Sequence, residues 1–411
     1  MASNKNIEPP SINHQWPIPY GKQNITEEDI QSVVEALRSD YLTQGPRSKE
    51  FEDAFAKYVG AEFAVAVSNG TAALHLTCLA LDVKEGDKVI TTPITFAASA
   101  NCVQYCGGEV VFADIDPDNY LLDINHVRAL LDASPKGTYK GIIPVDFAGR
   151  AVDMEAFRDL ANEFDLWIIE DSCHSPGGFF CDTSGNKQYC GNGKFSDLAI
   201  FSFHPVKHIA AGEGGMITTN DKALYKKLLM LRTHGITKNV NDFQNSIDIA
   251  IGDQPTTNQE YPAWYMEMQE LGYNYRLTDF QAALGLSQLS RANEGLEKRR
   301  AIAERYFNAF EHKSFVKSQS GIVAGHAYHL YVIEVEDRLG LYNHLREHKI
   351  FVQIHYIPIH LMPYYRQLGW SLGDCPNAES YYNGCLSLPM FPTLSEEDQE
   401  YVIGALEDYY R

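Results

Sequence analysis

Seven short apolar runs, at 63–67, 88–92, 110–113, 142–145, 166–169, 198–203 and 216–219, recur through the middle of this chain. Helical patterns at 72–81, 96–106, 124–131 and 154–164 lie between most of them. A continuous apolar run of strand length suits a strand buried on both faces. Parallel neighbours also need crossovers of helix length. The alternation therefore predicts an α/β fold: a mostly parallel central sheet with helices on both faces. Before the first run, Thr26-Glu27-Glu28-Asp29 opens a helix at 26–38 with a capping-box pattern, and Ile30, Val33, Val34 and Leu37 share one face. A second helix at 47–59 stops at Gly60. After Asp221 the pattern turns helical at 221–232, 278–290 and 293–310, returns to strands at 328–335 and 350–355, and closes with a helix at 395–409. This predicts an N-terminal segment over 1–25, a large domain over 26–290 and a smaller C-terminal α+β domain over 291–411. The Gly/Asn-rich stretch 181–196 and the polar stretch 236–263 read as long loops.

With 34 basic and 54 acidic residues among 411, the net charge is −20. That argues against nucleic-acid or membrane-surface binding, because neither polyanion attracts such a chain. No apolar run approaches the ~18 residues of a membrane span. Residues 1–10 are polar and lack a hydrophobic signal core, so a cytoplasmic protein is expected. The eight cysteines form no C-x-x-C pair and read as reduced, mostly buried thiols. His204, His208, His355 and His360 are not spaced like metal ligands, and no metal is expected. Lys298-Arg299-Arg300 reads as the solvated face of a helix.

The chemistry sits at strand ends. There is no G-x-G-x-x-G after the first strand and no P-loop signature. Ser68-Asn69-Gly70-Thr71 ends a strand and starts a helix, where free N–H groups and a hydroxyl can cradle a phosphate; an ordinary helix cap explains the same residues. Glu170-Asp171-Ser172-Cys173-His174 follows an apolar strand, at the carboxyl end where open α/β sheets place ligands; helix capping by Asp171 is the alternative. Lys207 follows the strand Phe201-Ser202-Phe203 and precedes Gly212-Glu213-Gly214-Gly215. A lysine in an apolar pocket can lose its proton and act as nucleophile or base, although most lysines are simply exposed. Cradle, carboxylate and lysine together are what pyridoxal phosphate requires.

These residues stand in a chain that resembles the DegT/DnrJ/EryC1/StrS sugar aminotransferases, from Tyr20-Gly21 and Leu42-Thr43-Gln44-Gly45 to His355-Tyr356. The strings TTPITFAASAN (91–101), PVDFAGR (144–150), FSFHPVKHIAAGEGG (201–215), LGYNYRLTDFQAALGLSQL (271–289) and VQIHYIPIH (352–360) carry the likeness and point to the branch that serves pseudaminic acid. The resemblance implies a type I, aspartate aminotransferase-like fold with pyridoxal 5'-phosphate. It implies that Lys207 holds the cofactor covalently and shuttles the proton, and that Asp171 meets the pyridine nitrogen. Phe96 would stack on the ring, Gly70, Thr71 and Ser202 would bind the phosphate, and His174 would lie near the ring oxygen. Asn274 would reach the phosphate of a partner subunit's cofactor, so that a homodimer shares its active sites. Tyr20, Asp40, Tyr41, Leu42, Thr43, Gln353, Ile354, His355 and Tyr356 match positions lining the sugar-nucleotide pocket. The implied reaction moves an amino group from L-glutamate to C4 of a UDP-linked 4-keto-6-deoxy-N-acetyl sugar. The alternatives are another UDP- or dTDP-4-keto sugar, a pyridoxamine-dependent dehydratase, which would carry His in place of Lys207, or a non-catalytic sugar-nucleotide sensor. The stretches 181–196 and 236–263 and Asp146, where many relatives carry His, depart from the family pattern.

Overall fold

A computed structural model describes residues 17–252 and 260–411. All seven apolar runs enter one sheet: β1 (Phe63–Val67), β2 (Lys88–Thr91), β3 (Glu109–Phe112), β4 (Tyr139–Ile143), β5 (Trp167–Asp171), β6 (Leu198–Ser202) and β7 (Gly215–Thr219). Their order is β1-β7-β6-β5-β4-β2-β3. Only β7 runs against its neighbours, β1 and β6. The connection from β6 to β7 contains no crossover helix, so the chain returns antiparallel. Successive side chains leave the sheet on opposite faces. Val65, Ile200 and Ile217 enter one buried cluster, while Ala66, Phe201 and Met216 enter another.

Helices α1 (Glu27–Arg38), α2 (Pro46–Val59), α3 (Gly70–Ala80), α4 (Ala98–Tyr105), α5 (Ile124–Asp132), α6 (Met154–Phe164) and α7 (Lys222–Leu231) match the expected pattern to within two residues. Gly60 ends α2 at φ 85°, a left-handed C-cap that glycine adopts without a Cβ clash. Thr26 and Asp29 form the capping box of α1. The apolar face of α1, however, is turned outward: Ile30 is 48% and Leu37 55% exposed. The helix instead packs on α8 (Asp279–Ser290) through buried Ala36 and Asp29. The Asp29 carboxylate accepts from Ser287 Oγ at 2.7 Å and Gln288 Nε2 at 2.6 Å, and pairs with Arg291.

From α8 the chain continues into α9 (Ala292–Phe310) and a second sheet of β8 (Val316–Gln319), β9 (Tyr331–Val335) and β10 (Cys385–Leu388). This sheet is antiparallel in the order β8-β9-β10. Helices α10 (Arg338–Glu347) and α11 (Glu396–Tyr409) accompany it, around Tyr306, Phe310, Tyr331, Leu341, Leu345 and Leu406.

Four expectations are corrected. The stretch 181–196 is not simply a loop, since Lys187–Tyr189 pairs with Phe179–Cys181 as a hairpin. Within 236–263, Ile236–Thr237 pairs with Glu267–Met268 and Ile247–Ile251 is a short helix; residues 253–259 lie outside the described residues. The strand expected at 350–355 is only Ile350–Phe351, paired with Ile18–Pro19; residues 1–16 of the expected N-terminal segment lie outside the described residues. Arg299 is 1% exposed, so the basic run on α9 is not a solvated face. No described helix is long and apolar enough to cross a membrane.

Candidate active site

The carboxyl ends of β1, β5 and β6 and the turn after β2 converge on a cavity of about 660 Å³. At the end of β1, Asn69 caps α3 by accepting from Ala72 N at 2.8 Å, and Gly70 and Thr71 begin the helix. Early N–H groups of a helix have no partner inside it and present a positive end to an anion. The turn is tightly seated. A Cβ on Gly70 would lie 3.1 Å from Ser202 Cβ, and one on Gly215 would lie 2.5 Å from the Asn69 carbonyl oxygen.

Asp171 ends β5 and is buried. Its Oδ2 accepts from Ser99 Oγ at 2.6 Å and its Oδ1 from Cys173 N at 3.2 Å. Ser99 Oγ also lies 2.7 Å from Thr95 Oγ1. Two donors thus fix the carboxylate in orientation while it lines the cavity.

Lys207 follows β6 into the same cavity. Burial holds its ammonium pKa below the ordinary lysine value; Cys173 and Asp171 oppose that effect and Arg299 adds to it. Lys207 Nζ lies 3.5 Å from His329 Nε2. The His329 ring centroid is 4.3 Å from that of His174, whose Nε2 lies 3.3 Å from the Tyr356 hydroxyl. Burial, reinforced by Lys207, pushes both imidazoles well below the usual histidine range. The same causes lower His355 to about 3. The wall is therefore made of neutral imidazoles around one amine. Phe96 is 63% exposed at the cavity, with its ring 6.4 Å from that of Tyr356.

The cavity gathers Gly70, Thr71, Phe96, Asp171, His174, Ser202 and Lys207, together with Tyr20, Gln353, Ile354, His355 and Tyr356. It does not gather Asp40, Tyr41, Leu42, Thr43 or Asn274, which are exposed. Leu42 and Thr43 are tied to the start of α8, where Asp279 N donates to Leu42 O at 2.9 Å. Thr95, Ser99, Cys173 and His329 line the cavity without having been singled out from sequence. The four-residue spacing of Thr95 and Ser99 was the one available signal. Asp146 does not line the cavity. It is fully buried, accepts from Ser172 Oγ, Ser175 Oγ and Val152 N, and lies within 4.8 Å of Glu170 and Cys190 as measured between their ligand atoms.

An anion cradle, a buried oriented carboxylate, an open aromatic face and a weakly basic lysine fit pyridoxal phosphate. Fold and site together define a pyridoxal-phosphate aminotransferase of the type I, aspartate aminotransferase-like class. Residues 23–407 match the DegT/DnrJ/EryC1/StrS aminotransferase family, and the chain belongs to it. It is 37% identical over 404 residues to the spore coat polysaccharide biosynthesis protein SpsC of Bacillus subtilis, covering 95% of this chain and 96% of the relative. It is 34% identical over 401 residues to the UDP-4-amino-4,6-dideoxy-N-acetyl-beta-L-altrosamine transaminase of Campylobacter jejuni, covering 95% and 96%. The solved structure of Helicobacter pylori PseC, an aminotransferase involved in the biosynthesis of pseudoaminic acid, superposes with a TM-score of 0.83 at 29% identity over 96% of this chain and 99% of that one. The protein is thus a pyridoxal-phosphate-dependent sugar aminotransferase.

Proposed function

We propose that this enzyme moves an amino group from L-glutamate to C4 of a UDP-linked 4-keto-6-deoxy-N-acetyl sugar on the pseudaminic acid route, acting in the cytoplasm where nucleotide sugars and glutamate are supplied. One observation carries the reading: the Lys207 amine, with its basicity lowered by burial, shares a cavity with the buried, doubly hydrogen-bonded Asp171 carboxylate. Bound pyridoxal phosphate supplies an electron sink for the carbon that exchanges its proton. Asp171, kept in place by Ser99 and Cys173 N, would hold positive charge at the ring nitrogen. Gly70, Thr71 and Ser202 would hold the phosphate, and Phe96 and His174 would bound the ring; all five line the cavity. Lys207 Nζ would hold the cofactor covalently and, as a free amine, would carry the proton to and from the substrate carbon. Its lowered pKa leaves more neutral amine near pH 7 than an exposed lysine would have. Tyr20 and 353–356 bound the side of the cavity open to a sugar.

The exposed apolar side chains Ile30, Leu37, Tyr41 and Leu42 support a homodimer, since covering them removes apolar surface from water. In that dimer Asn274 reaches the partner's cofactor phosphate, and Asp40 to Thr43 line the partner's sugar pocket. The chain divides into an N-terminal segment (1–25), a cofactor-binding domain (26–290) and a C-terminal domain (291–411). The comparable identity to SpsC, named for spore coat polysaccharide, supports a second reading: another UDP- or dTDP-4-keto sugar. The dehydratase and sensor readings lose ground to the retained Lys207. The test is a panel of UDP- and dTDP-linked 4-keto sugars with glutamate, the products identified by NMR. Reaction with dTDP sugars alone would overturn the substrate assignment.

A further inference from the structure

A second, smaller pocket lies on Lys207, and its lining is basic although the chain carries a net charge of −20. Lys22, Lys207, Arg291, Lys298 and Arg299 line it, with His208 and a single acid, Glu294. Two of these cations have acidic partners: Lys298 pairs with Glu294 at 2.6 Å and Arg291 pairs with Asp29. Arg299 pairs with no acid among the described residues. Its Nη1 donates to the carbonyls of Tyr328, His329 and Met390 at 3.1, 3.3 and 2.9 Å, which accounts for one nitrogen of the guanidinium. Its Nε is buried and has no partner among the described residues, and the same holds for Nε of Arg291. A guanidinium that is 1% exposed and faces no carboxylate is an expensive arrangement. Desolvation is strong enough to bring its pKa down to about 10. Carbonyl oxygens solvate a cation but do not neutralise it; an anion in the adjoining pocket would do both.

We propose that this pocket binds one small anion, a halide or a single carboxylate group, held by Arg299, Arg291 and Lys22 beside Lys207. The volume of about 30 Å³ suits one ion of that size. Lys22 is exposed at the rim and supplies the charge that draws the anion in. The occupant sits beside Lys207, the residue that anchors the cofactor.

The holoenzyme is the right sample, because its phosphate cradle is already filled. Chloride is titrated at constant ionic strength against a bulky sulfonate, and binding is read from ³⁵Cl line broadening. Saturable broadening is expected, about tenfold weaker in Lys22→Ala, absent in Lys22→Glu, whose carboxylate would take the ion's place, and absent in Arg299→Leu. If Arg299→Leu does not fold, the two Lys22 variants decide, with far-UV circular dichroism and the cofactor's absorbance checked for integrity. Displacement of chloride by acetate would identify a carboxylate as ligand class; chloride held against acetate would identify a halide. Broadening that does not saturate, or that is undiminished in both Lys22 variants, overturns the proposal. None of these readouts depends on which sugar is aminated.

Discussion

Gly215→Ala should move the phosphate cradle without touching any group that reacts. Gly215 opens β7, paired on one side with Val67 of β1 and on the other with Ser202 of β6. A Cβ there falls 2.5 Å from the Asn69 oxygen, 2.6 Å from its carbonyl carbon and 3.0 Å from Gly70 N. A carbon–oxygen contact is comfortable from about 3.3 Å, so roughly 0.8 Å of movement is required. The strand is held by two neighbours, and the displacement passes to the Asn69–Gly70 turn. Overpacking of this kind costs about 1–3 kcal/mol. A shift approaching 1 Å in a positioning group costs on the order of 10²-fold in rate. Cofactor affinity, measured by absorbance titration of the purified protein, should weaken by about tenfold or more, and kcat should fall by about 10²-fold, with the far-UV spectrum retained. Gly404→Ala is the control: it lies on α11 with open space around its Cβ and should leave both quantities unchanged. An alanine at 215 that binds cofactor and turns over within twofold of wild type would show that the turn is not the cradle.

Lys207→Ala should abolish turnover and the visible absorbance of the attached cofactor; robust activity without added amine would contradict its role. Because burial lowers the Lys207 pKa, covalent capture of the cofactor, followed by borohydride trapping, should rise with pH with a midpoint below the ordinary lysine value of 10.5; a midpoint at or above 10.5 would refute this. Burial raises both Asp146 and Glu170, with their mutual repulsion adding to Glu170, so the native state keeps protons that the unfolded chain releases above the ordinary values of 3.8 and 4.5. The contribution of this pair should therefore fall as pH rises from about 4 toward neutrality, against the opposite contribution of the buried neutral His174, His329 and His355, and Glu170→Gln should make the net slope of stability with pH more positive in urea denaturation; an unchanged slope would sink the reasoning. Leu42→Arg should split the proposed homodimer and cut activity by about tenfold or more, as read by sedimentation and assay; a fully active monomer would remove the shared site.

What the sequence made legible follows a physical line. The sheet was readable because its strands are buried on both faces, and a run such as Ala64-Val65-Ala66-Val67 has few other fates. That Asp171 and Lys207 share one cavity was readable because strand ends are where a parallel sheet presents its chemistry. The face of α1 was readable as apolar but not as outward-facing, because periodicity reports which residues share a side and not what covers them. Arg299 was misread for a related reason. The triplet Lys298-Arg299-Arg300 looks solvated, yet one helical position turns the middle residue inward onto three carbonyls of two distant segments.

Ser99 and His329 mark the same boundary inside the site. Ser99 meets Asp171 across 72 residues of chain, and His329 meets Lys207 across 122. Neither pairing has a local signature, because each is made by tertiary convergence onto one cavity. The parts held by a single strand-to-helix turn are visible in sequence. The parts that orient the carboxylate and neighbour the amine come from other elements and emerge only from the fold. For this reason the cofactor class was legible at three turns, whereas the shape of the cavity wall at 353–356, on which the proposed sugar selectivity rests, was not.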